Sequence, residues 1–158
     1  GITERKPFAL WQKDRHVSLI AADGTVLESF APRRFLSLPL VVGKDAQHEA
    51  HGFLALVKRF PSIAGQVKAS VLVADRRWNL YLKDGVEVLL PEADPAQALD
   101  TLVNLDRDKK LLSRDIVRVD MRLSDRVTVR LSDAAYAARE ASIKAREKAR
   151  KARKGGEA

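Results

Sequence analysis

No cysteine occurs in the 158 residues, which excludes a disulfide framework, a thiolate metal site and a cysteine nucleophile at once. Aromatic residues make up only 6% of the chain, so a groove that stacks unpaired bases on a row of rings has little to be built from. No apolar run approaches the roughly 18 residues needed to cross a bilayer, and no charged, apolar, small-residue signal opens the chain. The chain starts at Gly1 and not at Met, so it reads as a fragment, and any membrane anchor or targeting signal is expected outside it. There is also no Gly-x-Ser-x-Gly elbow, no phosphate-cradling glycine loop and no dinucleotide fingerprint. The 21 carboxylates carry no information about acid-base pairing without geometry. Neither an enzyme nor a cofactor is expected.

Histidine is scarce as well. His48 and His51 flank Glu49 in a helical stretch, but the spacing is not His-Glu-x-x-His and no third ligand is indicated, so no metal site is expected. His16 stands alone at the start of a strand and is expected at the surface.

What the chain does have is apolar content of 46%, enough for one hydrophobic core in the usual single-domain size range. The net charge of +8 has the look of a nucleic-acid binder until it is located. From Ala134 onward there are eight basic residues against three acidic ones, whereas the remainder carries 21 basic and 18 acidic. The excess is therefore concentrated in a tail with Tyr136 as its one aromatic residue.

The segment Ile2–Gln12 contains Pro7 and reads as an extended entry into the domain. Val17–Ser29 reads as a hairpin around Asp23-Gly24, since that dipeptide accommodates positive φ at a tight turn. After a connector punctuated by Pro32 and Pro39, Phe53, Leu56, Val57 and Phe60 recur at helical spacing over 45–60, and Pro61 marks a stop. Gln66–Ala74, Arg77–Leu82 and Val86–Leu90 form a predicted three-strand meander, the last two strands joined by Asp84-Gly85. Asp94-Pro95 supplies an N-cap and a first-turn proline for a second helix, with Ala98, Leu99, Leu102, Leu105 and Leu112 on one side.

Ile116–Leu123 and Arg126–Leu131 alternate around a short Ser124-Asp125 turn. Period two predicts that Val117, Val119, Met121, Leu123, Val127, Val129 and Leu131 face the core, and that Arg118, Asp120, Arg122, Arg126, Thr128 and Arg130 form the opposite, mainly cationic face. The order hairpin, helix, meander, helix, hairpin predicts an α+β fold: a largely antiparallel sheet with two helices packed on one side, followed by a basic tail that is helical or disordered. The Arg76-Arg77 pair beside Trp78 is either a solvated pair next to a core tryptophan or an anchor for a partner's acidic groups, because Arg binds carboxylates bidentately.

Five motifs recur in one order: Arg5-Lys6-Pro7-Phe8-Ala9-Leu10-Trp11-Gln12, Asp23-Gly24, Leu38-Pro39-Leu40-Val41-Val42-Gly43, Arg76-Arg77-Trp78-Asn79-Leu80-Tyr81-Leu82 with the Gly85 turn, and Val119-Asp120-Met121-Arg122. Over about residues 2–131 this series resembles the β domain of the FtsQ/DivIB family of cell-division proteins, in its alphaproteobacterial form. The resemblance implies the end of a POTRA domain and a junction at 1–12, with Ile2–Arg5 as the last POTRA strand, a β domain at 13–132 and a basic tail at 133–158. It implies a single-pass inner-membrane protein whose anchor lies outside this chain, with this domain in the periplasm at the division septum.

It also implies a non-catalytic scaffold that recruits FtsB and FtsL, with other divisome proteins as further candidates, and links early to late divisome assembly. Carried over by position, the docking edge is Val127, Thr128, Val129, Arg130 and Leu131, entered from Arg122, Leu123, Ser124 and Asp125. Arg76 or Arg77 supplies a second cationic contact. The rival reading is a binder of nucleic acid or another acidic surface through the tail, which predicts steep salt dependence. A hydrolase using the histidines is the third.

Overall fold

A computed structural model of the chain describes residues 5–155. Nine strands form one sheet: β1 (Ala9–Lys13), β2 (His16–Ile20), β3 (Val26–Glu28), β4 (Leu40–Val42), β5 (Val67–Val73), β6 (Arg77–Leu82), β7 (Glu87–Leu89), β8 (Ile116–Asp120) and β9 (Thr128–Leu131). The helices are α1 (Ala46–Lys58), α2 (Pro61–Ala64), α3 (Pro95–Lys109) and α4 (Asp133–Gly155), with single 3-10 turns at Arg33–Phe35 and Leu111–Ser113. The sheet order is β3-β2-β1-β4-β5-β6-β7-β8-β9. Five of its eight ladders are antiparallel, and β1–β4, β4–β5 and β7–β8 are parallel.

The two long core helices exist because of those parallel pairs. Two parallel neighbours cannot be joined by a tight turn, so the chain must return along the sheet, and it does so as a helix. α1 carries β4 to β5, and α3 carries β7 to β8. Each helix buries one stripe: Ala46, Ala50, Phe53, Leu54 and Val57 from α1, and Ala98, Leu99 and Leu102 from α3. They join Val41, Leu72, Trp78, Leu80, Leu82, Val88 and Val119 in one core on one face of the sheet. At its centre Phe53 stacks on Trp78, with ring centroids 4.3 Å apart and planes 6° from parallel. Asp94 caps α3 by accepting from the Gln97 N–H at 3.2 Å, as the Asp94-Pro95 pair predicts.

Several expectations are corrected. Leu40–Val42, read as the end of a connector, is a central strand between β1 and β5; three residues between Pro39 and Gly43 are too short to show alternation. Gly43 is needed there, since it stands at φ +123° and a Cβ would meet the Leu72 carbonyl oxygen at 2.8 Å. α1 does end ahead of Pro61, at Lys58, but the chain does not continue as loop: Pro61 starts the one-turn helix α2. Leu112 leaves the second helix and is buried from the following 3-10 turn. β1 pairs in register with β2 and β4, so residues 9–12 fold with the sheet and not ahead of a boundary at 13. Of the segment Ile2–Arg5, all but Arg5 lies outside the described residues, as does the tail beyond Gly155.

The last hairpin departs furthest from strict alternation. Ile116 faces Leu131 and Arg118 faces Arg130, so Val117 is an extra residue in β8, a β-bulge that leaves it 39% exposed. The strands stop pairing at Asp120 and Thr128. Met121–Val127 is consequently a seven-residue loop, not a tight turn, and Leu123 lies 57% exposed instead of in the core.

Removing the stacked ring should leave a cavity between α1 and the sheet. Phe53→Ala is expected to destabilise the fold by about 3–5 kcal/mol, measured as a fall in the urea midpoint with an unchanged slope.

Candidate functional site

β9 ends the sheet, with β8 as its only strand partner among the described residues. The Ser132 N–H still turns inward to the Asp115 carbonyl at 3.1 Å. Backbone direction alternates along a strand, so Val129 and Leu131 aim their N–H and C=O groups outward. No backbone hydrogen bond from another described segment reaches that border. α4 leaves at once, capped by the Ser132 hydroxyl accepting from the Ala135 N–H at 3.1 Å, and none of its residues is buried.

Thr128 and Arg130 are exposed, while Val127, Val129 and Leu131 are partly buried against the core. The expected docking residues thus stand on one border, although Val127 precedes the strand itself.

The loop before β9 is anchored at its start. Met121 is buried and donates its N–H to the Leu89 carbonyl at 2.9 Å. Asp120 then holds Arg122 by three bonds: the backbone N–H to Oδ1 at 3.1 Å, Nε to Oδ1 at 2.9 Å and Nη2 to Oδ2 at 2.7 Å. The Arg122 guanidinium is thereby oriented while remaining exposed, and its other N–H donors stay available. The hydrogen bond from Arg122 holds the Asp120 carboxyl below its ordinary range. Leu123, Ser124, Asp125 and Arg126 are all exposed, with Arg126 Nε 3.6 Å from Asp125 Oδ1.

Between this loop and α3 runs a groove of about 800 Å³, with Pro91, Ala98, Leu105, Met121, Leu123 and Val127 in its apolar lining and Arg122 and Asp125 among its polar lining. The groove was not legible in the sequence, because its two walls meet only through the β7–β8 crossover.

Arg77 opens β6 and is half-buried; Arg76 lies exposed in the preceding turn. Asn79, Leu89, Asp120 and Thr128 occupy successive positions across β6 to β9, so both arginines belong to the same end of the sheet as Arg122. Two strand spacings, about 10 Å, separate β6 from β8. The neighbouring row is Tyr81, Glu87, Arg118 and Arg130. Arg118 Nε lies 3.4 Å from Glu87 Oε1 but is buried without a well-aligned hydrogen bond; the contact is an ion pair only. Burial, and secondarily Glu87, raises the Tyr81 phenol above its ordinary value.

Away from this border, His48 Nε2 is 3.3 Å from Gln47 Nε2, and the His51 ring packs 5.5 Å from Phe8. No group of three or more potential ligands gathers around them among the described residues. No described helix is long and apolar enough to cross a membrane.

Residues 9–122 match the family model described as cell division protein FtsQ/DivIB, C-terminal. The chain is 55% identical over 147 residues to cell division protein FtsQ of Bradyrhizobium diazoefficiens, covering 93% of this chain and 43% of that protein. It is 43% identical over 150 residues to cell division protein FtsQ of Agrobacterium fabrum, covering 95% of this chain and 47% of that protein. The chain therefore spans less than half the length of either relative. A solved structure, the major extracytoplasmic domain of the trans isomer of the cell division protein DivIB from Geobacillus stearothermophilus, superposes with a TM-score of 0.41 at 20% identity, covering 67% of this chain and 98% of that one.

The Asp120–Arg122 pair predicts a pH dependence. The folded carboxyl is depressed relative to the unfolded one, so its contribution is complete above about pH 4 and is lost as pH falls through the folded value. Asp120→Asn should lower Tm at pH 7, and the gap to the unaltered chain should close below about pH 4, as followed by circular dichroism.

Proposed function

This chain belongs to the FtsQ/DivIB family of cell-division proteins, and we propose that it acts there as a non-catalytic docking module that recruits FtsB and FtsL by strand addition on β9. In this reading the whole protein is held in the inner membrane by a single helix outside this chain. A POTRA domain precedes Ala9, the present domain stands in the periplasm at the septum, and recruitment links early and late divisome assembly. The observation that carries the proposal is the outer border of β9, whose backbone groups have no partner among the described residues. Unpaired strand borders are the standard receptors for extended peptides, with backbone bonds giving affinity and alternate side chains giving specificity.

Magnitudes indicate what else must contribute. Val129 and Leu131 offer about four outward backbone groups, each worth roughly 1 kcal/mol net, so pairing alone gives about 4 kcal/mol. A micromolar complex needs about 8 kcal/mol. The remainder falls to groups beside the border: Arg122, pre-oriented by Asp120, and the apolar groove against α3. Arg76 or Arg77 offers a further cation at the same end of the sheet.

The experiment is calorimetry with the periplasmic parts of the cognate FtsB–FtsL pair. Val129→Pro removes one outward N–H and no bond to β8, a position where an edge strand tolerates proline. It should weaken binding at least about tenfold, the equivalent of about 1.4 kcal/mol, with the fold intact by circular dichroism. Arg122→Glu should cost at least about 1.5 kcal/mol of binding. Unchanged affinity in both variants would overturn strand addition at β9.

A further inference from the structure

Tyr81, Glu87, Arg118 and Arg130 are direct neighbours in successive strands, so their side chains share one face of the sheet, the one opposite the helices. Along this row the carboxylate of Glu87 is committed to Arg118 at 3.4 Å. Arg130, next in line and last, has another guanidinium as its cross-strand neighbour and no carboxylate within ion-pair distance among the described residues. Like charges directly opposite each other disfavour pairing, and opposite charges favour it. The row is therefore left with an uncompensated positive end at the border where another strand would join.

The backbone of Arg130 points toward β8, by the same alternation that turns Val129 and Leu131 outward. An antiparallel strand added at β9 meets Arg130 in a non-hydrogen-bonded pair, the type with the shorter Cα separation and the closer side chains. The residue in that position is held against the guanidinium by the backbone ladder itself. On either side of it, the residues facing Val129 and Leu131 point to the helix side of the sheet, where both valine and leucine pack partly buried against the core.

We propose that Arg130 is a specificity-determining residue, selecting a partner strand that carries Asp or Glu opposite it, flanked on both sides by apolar residues. An acidic side chain there completes the charge row. A basic one would stand before two guanidinium groups, Arg130 and, one strand behind, Arg118. This inference rests on strand addition at β9 and adds to it the chemistry and register of the occupant.

The same partner complex serves as the probe. Arg130→Glu places a carboxylate beside Arg118, so folding is not endangered, and it should weaken binding at least about tenfold. Arg130→Lys keeps the charge and should retain most of the affinity. Reversing partner carboxylates to lysine one at a time should identify a single position that weakens the unaltered chain and restores Arg130→Glu to within about threefold of normal. If Arg130→Glu binds normally while Val129→Pro does not, or if no single reversal restores binding, the Arg130 assignment falls and strand addition survives. If the unaltered chain fails to bind the probe, both fall.

Discussion

Backbone N–H and C=O groups withdrawn from water must be paired, and a sheet that does not close meets that requirement everywhere except at its two borders. In this chain the borders are unequal. β3 contributes three residues and joins β2 across an irregular register at Leu19 and Ile20, so little straight backbone is left to template another strand. β9 contributes four residues in continuous register along its own length. Its irregularity, the Val117 bulge, lies in β8 on the inner side, where it twists the ribbon without interrupting the outward row. The border at β9 is the one on which an added strand finds consecutive partners.

Such a border recruits a partner only if it is already in place when the partner arrives, since ordering it on binding would consume the modest energy that a few backbone bonds supply. The core provides that rigidity. α3 links β7 to β8 as a crossover and buries Leu99 and Leu102 completely, which fixes β8; β8 in turn carries β9. The buried Met121, bonded to the Leu89 carbonyl, ties the start of the exposed loop to the third strand from the border. The exposed loop from Arg122 to Arg126 is thereby tied at its start to the buried sheet.

Much of this was readable from local pattern. Helical spacing of Phe53, Leu56 and Val57, the Asp94-Pro95 cap and the glycine turns at Gly24 and Gly85 located both core helices, the meander and the hairpins. The features that escaped are those with no local signature. β4 is short, and its place between β1 and β5 follows from parallel pairing across the chain. The Asp14-Arg15 turn has both residues at positive φ without glycine or asparagine to announce it. The Val117 bulge leaves the alternation of letters intact, so period two assigned Val117 to the core; it assigned Leu123 there because no local signal marks the end of pairing at Asp120. At the candidate border, alternation marked the strand Thr128–Leu131, whereas the groove with α3 and the pairing of Arg122 with Asp120 required the fold.

That pairing separates two arginines that sequence alone treats alike. Arg122 is claimed by an internal carboxylate, so any acidic group of a partner must share it, and part of its attraction is already neutralised. What the Asp120 contact supplies instead is orientation, lowering the rotamer freedom to be lost on binding. Arg130 has the converse character: it is unpaired among the described residues, next to a like charge, and placed on a strand whose backbone dictates what stands opposite. A pre-oriented guanidinium on a loop tolerates variation in the position of its partner group, while one set in a ladder tolerates almost none. In the proposed docking, register discrimination would therefore fall to Arg130, and Arg122 would add affinity without specifying which residue of the partner strand lies where.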